Sequence, residues 1–389
     1  MIKILIGGDY YPVKEIEAFH KTTKKPSSLF GDLLSEIETV DYAIYNQEYP
    51  LTKSNEKYYK YGPNLKGNPI CIKAVADAGF NIATLANNHT LDFGEDGMND
   101  TVSVCKQNNI VPIGWGKNLN ESRQVHIIEK NGVKVALLNC AENEFNTAKQ
   151  NSGGAYPLNI IDNTRLIQEL KKAVDHIIMI IHGGTDFCHY PSPRMVDQYR
   201  FYAENGVSAI IGHHTHHVSG YEVYKGVPIF YSIGNLIYPY TWNSDCQETL
   251  VIKFKATKDH LDFKILPYRF STPNMRLEKI DKESDENFFF RLKKYSEALS
   301  ENQVLLEKWS EHINSTYSRT VYYTLLTRTP YILHKIARKL KILNFYEVLV
   351  KRYDKRMLAL WNINRCETHQ DAVQYLLDEQ YREYVKKNK

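Results

Sequence analysis

The sequence predicts an α/β protein with a separate helical extension at its C-terminus, and three observations predict it. Over the first two thirds, short β-branched apolar runs alternate with helical patterns, the rhythm of strands covered by helices. Several of those runs stop on residues that ligate metals or bond substrates. From Glu283 onward the chain is essentially without Gly, has Pro330 as its single proline and keeps helical periodicity. Residues 1–270 are therefore read as one catalytic unit and residues 283–389 as a helical one.

The elements follow in order. A first strand is expected over Met1–Gly8, ending on Asp9, then a helix over Leu29–Glu38. A second strand, Asp41–Tyr45, runs into Asn46 and Glu48. After a helix over Cys71–Ala78, the strand Asn81–Ala86 runs into Asn87-Asn88-His89. A helix over Gly97–Asn108 leads to Asn131-Gly132, a hairpin signal before the strand Lys134–Cys140. Helices over Thr164–Val174 and Pro193–Asn205 enclose the strand His176–Ile181, which stops on His182. The apolar run Val207–Ile211 opens into Gly212-His213-His214-Thr215-His216-His217. Lys225-Gly226 reads as another hairpin turn, before strands over Val227–Ile233 and Thr249–Phe254. Beyond Ser271-Thr272-Pro273, helices are expected over Asn287–Leu299, Gln303–Ile313, Tyr331–Leu343, Glu347–Trp361 and Asp371–Lys386.

Composition narrows the function classes. A net charge of +4 with 24% charged residues carries no general bias toward nucleic acid. The 28 tyrosines are scattered, as packing residues are, and do not form a base-stacking platform. Six cysteines lie far apart without a CxxC pair, which argues against a zinc-thiolate site or a disulfide framework and for reduced, buried thiols. With no recognisable signal peptide and no apolar run of membrane-spanning length, the expectation is a cytoplasmic protein. No GxxxxGK[ST] segment is present, so ATP-driven ligation by this chain is not expected.

The strand ends carry the chemistry. A parallel sheet gathers the carboxyl ends of its strands along one edge, so ligand-type residues far apart in sequence can meet there. Candidate metal ligands are Asp9, Glu48 as a bridging carboxylate, Asn88, His182, His214 and His216. A mixed oxygen and imidazole set suits Mn, Fe or Zn, as one ion or two. Two ions ~3.5–4 Å apart would suit a phosphoryl oxygen and an activated water. His89 is the candidate general acid, with Asp92 to orient it. Asn46, Asn87, Asp186, His213 and Asn235 are candidate substrate-binding residues. The extra histidine leaves two registers open for the residues of 213–216 that ligate.

Leu85-Ala86-Asn87-Asn88-His89-Thr90-Leu91-Asp92-Phe93-Gly94 resembles the Asn-Asn-His-x-x-Asp-x-Gly segment of the bacterial CapA family of poly-gamma-glutamate capsule synthesis proteins. Asn46-Gln47-Glu48-Tyr49-Pro50-Leu51-Thr52 is similar to that family's Asn-x-Glu-x-Pro-Leu-Thr. Gly212-His213-His214-Thr215-His216 and Tyr231-Ser232-Ile233-Gly234-Asn235 extend the resemblance, with weaker support from Gly8-Asp9 and His182-Gly183-Gly184-Thr185-Asp186. The resemblance covers roughly residues 1–255. It implies a metallophosphoesterase-like four-layer β-sandwich flanked by helices, with a two-metal site at the strand ends. By analogy to a Gly-His-x-His turn it favours His214 and His216 as ligands.

This chain departs from the pattern at several positions. Dinuclear phosphoesterases usually place a His two residues after the first Asp, where this chain has Tyr11, and an Asp in the second motif, where Asn46 and Glu48 stand. Relative to CapA proteins, Gly183 replaces a frequent Trp, Asp186 a Glu and Thr215 a Pro.

Other residues have plainer readings. Glu142 and Glu144 are expected as solvated loop acids, while His189 and Arg194 could meet an anionic group. His20, His126, His176, His260, His312, His334 and His369 show no partnering pattern and are expected to be structural or solvent-facing. Between Lys335 and Arg356, eight Lys or Arg residues face only Glu347 and Asp354. Solvated helix faces are the first reading there, and peripheral contact with an anionic membrane the second.

The functional expectation is a metal-dependent hydrolase acting on a phosphorylated or polyanionic substrate in capsule or envelope polymer biosynthesis. The alternatives are a factor that handles poly-gamma-glutamate or another surface polymer, through amide hydrolysis, transfer or export support, and a non-catalytic polymer-binding relative.

Overall fold

A computed structural model describes residues 1–283, 285–316 and 358–387. The helix expected over Tyr331–Leu343 and the basic segment Lys335–Arg356 lie outside the described residues, as does most of Glu347–Trp361.

The first half supplies strands β1 (Ile2–Tyr10), β2 (Tyr42–Gln47), β3 (Ile82–Thr84), β4 (Val111–Ile113), β5 (Trp115–Gly116), β6 (His126–Lys130), β7 (Val133–Ala141) and β8 (Gly154–Ala155). The second supplies β9 (His176–His182), β10 (Ala209–His213), β11 (Tyr221–Tyr224), β12 (Val227–Phe230), β13 (Asn235–Ile237), β14 (Glu248–Ala256), β15 (Leu261–Ser271) and β16 (Arg276–Lys279). One sheet runs β16-β15-β14-β1-β2-β3-β4, with β13 also paired to β1; the other runs β11-β12-β10-β9-β7-β6. In each sheet the central strands are parallel: β1 to β2 to β3, and β7 to β9 to β10.

Alternation along the strands decides the layering. Ile2, Ile4 and Ile6 of β1 share a buried cluster with Val135, Leu137, Ile178, Ile180, Ala209 and Ile211, so one face of each sheet meets the other sheet. Leu5 points the opposite way, into a cluster with Ile16, Leu29, Leu33, Ile72 and Val75 under the helices of the first sheet. Ala136, Leu138, Ile177, Met179 and Ile210 likewise face helical residues Leu166, Ile167, Val196 and Tyr199. A period of two thus puts three cores between four layers, helix, sheet, sheet and helix. This is the sandwich implied by the resemblance.

The helices are α1 (Lys14–Thr22), α2 (Leu34–Ile37), α3 (Ile72–Ala78), α4 (Gly94–Gln107), α5 (Leu119–Ser122), α6 (Ile160–Leu170), α7 (Pro193–Asn205), α8 (Glu286–Ala298) and α9 (Asn302–Thr316), followed by residues 358–365 and the terminal helix Glu367–Lys387. The start of α7 follows local rules: the Ser192 hydroxyl caps Met195 N–H and Pro193 opens the first turn. Both hairpin signals form, with positive φ at Asn131 and Gly132 and at Lys225 and Gly226. The expected helix Leu29–Glu38 is a correction. A 3₁₀ segment occupies Pro26–Leu33 and only α2 is α-helical, because Gly31 breaks the run at φ 43°. A side chain there would press a Cβ to 2.1 Å from the Leu277 carbonyl oxygen.

The first sheet continues past residue 270 through β15 and β16 to Lys279. Phe288 and Leu292 of α8 enter the core between the sheets, and Leu305 of α9 enters the outer core of the second sheet. No helix among the described residues is long and apolar enough to cross a membrane.

Candidate metal centre at the strand ends

The parallel strands deliver their ends to one place. Asp9 lies within β1 beside Asn46 of β2, and Asn235 of β13 pairs with Asp9 from the other side. Gly8 makes this junction possible, since a Cβ there would sit 2.0 Å from the Gly234 carbonyl oxygen. In the second sheet His182 closes β9 beside His213, the last residue of β10. His214 and His216 follow with φ 91° and 61°. Backbone strain of this kind in non-glycine residues concentrates at functional sites, where the surrounding structure enforces it.

The side chains form a buried polar cluster. Asn46 Nδ2 donates to Asp9 Oδ1 at 2.8 Å and to Glu48 Oε2 at 2.6 Å, joining two carboxylates that would otherwise repel. The other oxygen of Glu48, Oε1, is buried without a hydrogen bond and lies 3.7 Å from His182 Nε2. Around His182 Nε2 stand Asn88 Oδ1 and His214 Nδ1, each at 3.1 Å. On the Asp9 side, the Tyr11 hydroxyl meets the His216 ring, whose Nδ1 is 3.3 Å from Asn235 Oδ1.

Electrostatics indicate what this cluster needs. Burial and the neighbouring Asp9 carboxylate push the Glu48 carboxyl well above its ordinary range. Burial also penalises charge on Asp9, but its bond to His213, with His182 and His216 nearby, holds its carboxyl below the usual range. Burial and His214 hold the His182 imidazole well below its usual value, so it is neutral and has a lone pair to offer. Asp9, Glu48 and His182 present ligand atoms all within 4.8 Å of one another. An unpartnered carboxylate oxygen beside two imidazoles and an amide oxygen fits a divalent cation of intermediate softness.

The expected metal ligands therefore converge: Asn88 and His214 meet His182, Asp9 and Glu48 lie with His182 in one group, and His216 stands beside Asn235. His89 sits at the edge, with Nε2 4.0 Å from Glu48 Oε1 and Nδ1 2.7 Å from Asp92 Oδ2. Asp92 is fixed further by Leu65 N–H at 2.6 Å and by the Lys60 ammonium.

Among the expected substrate contacts, Asp186 is the one with a substantially open side chain, 44% exposed and 3.2 Å from His214 Nε2. The other four are tied inward. Asn46 bridges the two carboxylates. Asn87 donates to the Gln47 carbonyl and accepts His89 N–H. His213 is bonded to Asp9 at 2.8 Å, and Asn235 donates to the His216 and Cys246 carbonyls. These four are hydrogen-bonded within the cluster.

Several partners had no visible signal in the sequence. Lys60 comes from the irregular segment between β2 and α3. Trp309 Nε1 donates to Thr185, and His312 Nε2 to the Asp186 carbonyl, so α9 supports the loop after β9. Glu142, expected to be solvated, is instead buried, accepting from Gly184 N–H, Arg194 and Thr368. Arg194 is spent on Glu142 and Asp371 rather than left open to a ligand anion. All six cysteines are buried and free.

The comparisons agree with these motifs. The chain is 30% identical over 232 residues to the PGA biosynthesis protein CapA of Bacillus subtilis (strain 168), covering 59% of this chain and 61% of that one. It is 29% identical over 232 residues to the capsule biosynthesis protein CapA of Bacillus anthracis, covering 57% and 56%. The matches thus span less than two thirds of these relatives. Among solved structures, a putative 5'-nucleotidase from Staphylococcus aureus in complex with alpha-ketoglutarate aligns over 75% of this chain and 58% of its own, with 16% identity and a TM-score of 0.42. The family model for bacterial capsule synthesis protein PGA_cap matches residues 3–240, the stretch that holds every strand-end residue from Asp9 to Asn235. The chain belongs to the PGA_cap family of bacterial capsule synthesis proteins.

Proposed function

We propose that this protein is a metal-dependent hydrolase of phosphoesterase type, acting on a phosphorylated or polyanionic intermediate of capsule or envelope polymer synthesis. The observation that carries the reading is the unpartnered Glu48 Oε1 facing His182 Nε2, with Asn88 Oδ1 and His214 Nδ1 beside it. A divalent ion held by these residues would supply positive charge for a phosphoryl oxygen and acidify a water. The chain's own groups do the rest. Asn46 fixes the spacing of Asp9 and Glu48, and His213 orients Asp9. His89 donates Nδ1–H to Asp92, which leaves Nε2 to hold a proton for the leaving oxygen. Asp92 and Lys60 keep that ring from turning. Asp186, half open at the rim, is placed to touch substrate.

A second reading starts from the relatives' names, which speak of PGA and capsule biosynthesis: the chain would handle a poly-gamma-glutamate-type polymer, by amide hydrolysis, transfer or export support. The deciding experiment is a Mn²⁺ titration by calorimetry on metal-stripped protein and its Glu48→Ala variant, followed by a phosphodiester screen. Loss in the variant of the Mn²⁺ bound at Glu48, with turnover of a phosphodiester by the unaltered protein, supports the hydrolase. Absence of Mn²⁺ and Zn²⁺ binding at Glu48 sinks it. Binding without phosphoester turnover, but with cleavage of a poly-gamma-glutamate chain, favours the second reading.

A further inference from the structure

We infer a second, separate divalent-cation site formed by His189, His217 and Asp245. These residues come from three segments: the loop before α7, the loop after β10 and the 3₁₀ turn Ser244–Gln247. Each offers a ligand atom, and the three atoms all lie within 4.8 Å of one another. The set shares no residue with the Glu48 cluster.

The hydrogen bonds leave this group one cation short. His189 Nδ1 lies 2.8 Å from the Val218 carbonyl oxygen, which can only accept, so Nδ1 carries the proton. Its Nε2 lone pair is then directed at Asp245 Oδ2, 3.3 Å away. An acceptor facing an acceptor needs a positive charge between or upon them. Neutral histidine fixed by a backbone carbonyl on one nitrogen and open on the other is the usual arrangement of a metal ligand.

His217 supplies the second, independent observation. Its ring is 5% exposed, its Nε2 meets the Asn243 side-chain amide at 2.9 Å and its Nδ1 is buried without a hydrogen-bond partner, so ligation through Nδ1 requires the Nε2–H tautomer with the Asn243 amide oxygen turned toward it. It stacks on His189 with centroids 4.4 Å apart, and Tyr295 of α8 stacks on the His189 ring at 4.5 Å. A proton on His189 would answer Asp245 alone and put a charged ring against His217. One cation shared by all three would satisfy Asp245 and both imidazoles together. Two imidazoles with one carboxylate suit Zn²⁺, Fe²⁺ or Mn²⁺. An ion here would tie together the loop that carries Asp186, the turn that carries His216 and the 3₁₀ turn Ser244–Gln247, so its role is to hold the rim of the strand-end centre.

The test uses Zn²⁺ on the full chain carrying Glu48→Ala and His182→Ala, which removes the other centre. We expect one Zn²⁺ per chain to survive gel filtration. Adding Asp245→Asn or His217→Gln should weaken it by more than about tenfold, since losing a ligand costs at least as much as losing the group that orients one. If the double variant does not fold, Co²⁺ absorption of the otherwise unaltered protein with and without His217→Gln replaces it: the loss of one spectral class supports the site. A folded double variant that retains no Zn²⁺ overturns the inference, as does an unchanged stoichiometry in His217→Gln. In either case His189 would be an imidazolium paired with Asp245. Zn²⁺ bound here but absent from Glu48 would sink the hydrolase reading and leave this site standing.

Discussion

The Tyr11 hydroxyl is hydrogen-bonded to the ring of His216, at the position where dinuclear phosphoesterases commonly place a histidine. Tyr11 is held there by edge contacts with Tyr49 and Tyr238. Its phenol is kept neutral, because burial and the nearby Glu48 carboxylate push its pKa well above the ordinary value. It therefore serves to orient His216. Tyr11→Phe should keep the packing, cost about 1 kcal/mol for the lost hydrogen bond, and weaken ion binding at the Asp9 side by about 10–100-fold. Urea unfolding and a Mn²⁺ titration measure the two effects. Unchanged binding would show that His216 needs no such orientation.

His89 can be separated from metal binding. Its ring contacts Asp92 and lies 4.0 Å from Glu48, while Tyr49 packs edge-on against it. With a phosphodiester that the protein turns over, His89→Ala should lower the rate by about 10²–10⁴-fold and leave Mn²⁺ stoichiometry as before. Asp92→Asn should give part of that loss. Parental rates in His89→Ala would remove His89 from the chemistry.

The C-terminal segment is bound by an ionic cluster. Arg194 pairs with Glu142 at 3.0 Å and with Asp371 of the terminal helix at 2.7 Å, and Thr368 donates to Glu142 at 2.8 Å. Arg194→Ala strands two mostly buried carboxylates, so it should cost about 3 kcal/mol and loosen the terminal helix. Chemical denaturation gives the first quantity. Limited proteolysis should cut the C-terminal segment sooner in the variant, and equal cutting rates would contradict the docking role.

The start of α8 should be pH-sensitive. Arg269 and the Phe288 N–H that Asp285 caps hold its carboxyl below the ordinary carboxylate range. A lowered folded value means stability that is complete above the ordinary carboxylate pKa and is lost as pH falls through the lowered one. Asp285→Ala should cost about 1 kcal/mol at neutral pH, with the difference from the parent shrinking in acid. Melting curves across pH 2–7 follow it, and a constant difference would deny the linkage.

The strands were readable because each carries its own signal. Ile2, Ile4 and Ile6 face one core and Leu5 the other, a period of two that only a strand sustains. The turns Asn131-Gly132 and Lys225-Gly226 are equally local. The Pro26–Leu33 segment departs from the helix expected over Leu29–Glu38 because its break at Gly31 answers a carbonyl at Leu277, far along the chain. Strand β15 carries the same period-two signal over Leu261–Ile265, which the sequence reading does not use, and β16 is only four residues long.

By itself, the sequence determined the alternation of strands and helices, the family and the inventory of ligand-type residues at the strand ends, because periodicity and short motifs are properties of neighbouring residues. Tertiary structure alone decided which of those residues are left without a hydrogen-bond partner and which are tied to neighbours. Asn46, Asn87, His213 and Asn235 share the chemistry of ligands but are turned toward carboxylates and carbonyls contributed by other strands. Lys60 on Asp92, His312 on the Asp186 carbonyl and Arg194 between Glu142 and Asp371 were decided in the same way. Such pairs join segments whose proximity exists only after the chain has folded, since hydrogen bonds and charge pairs depend on distance in space and not on distance along the chain.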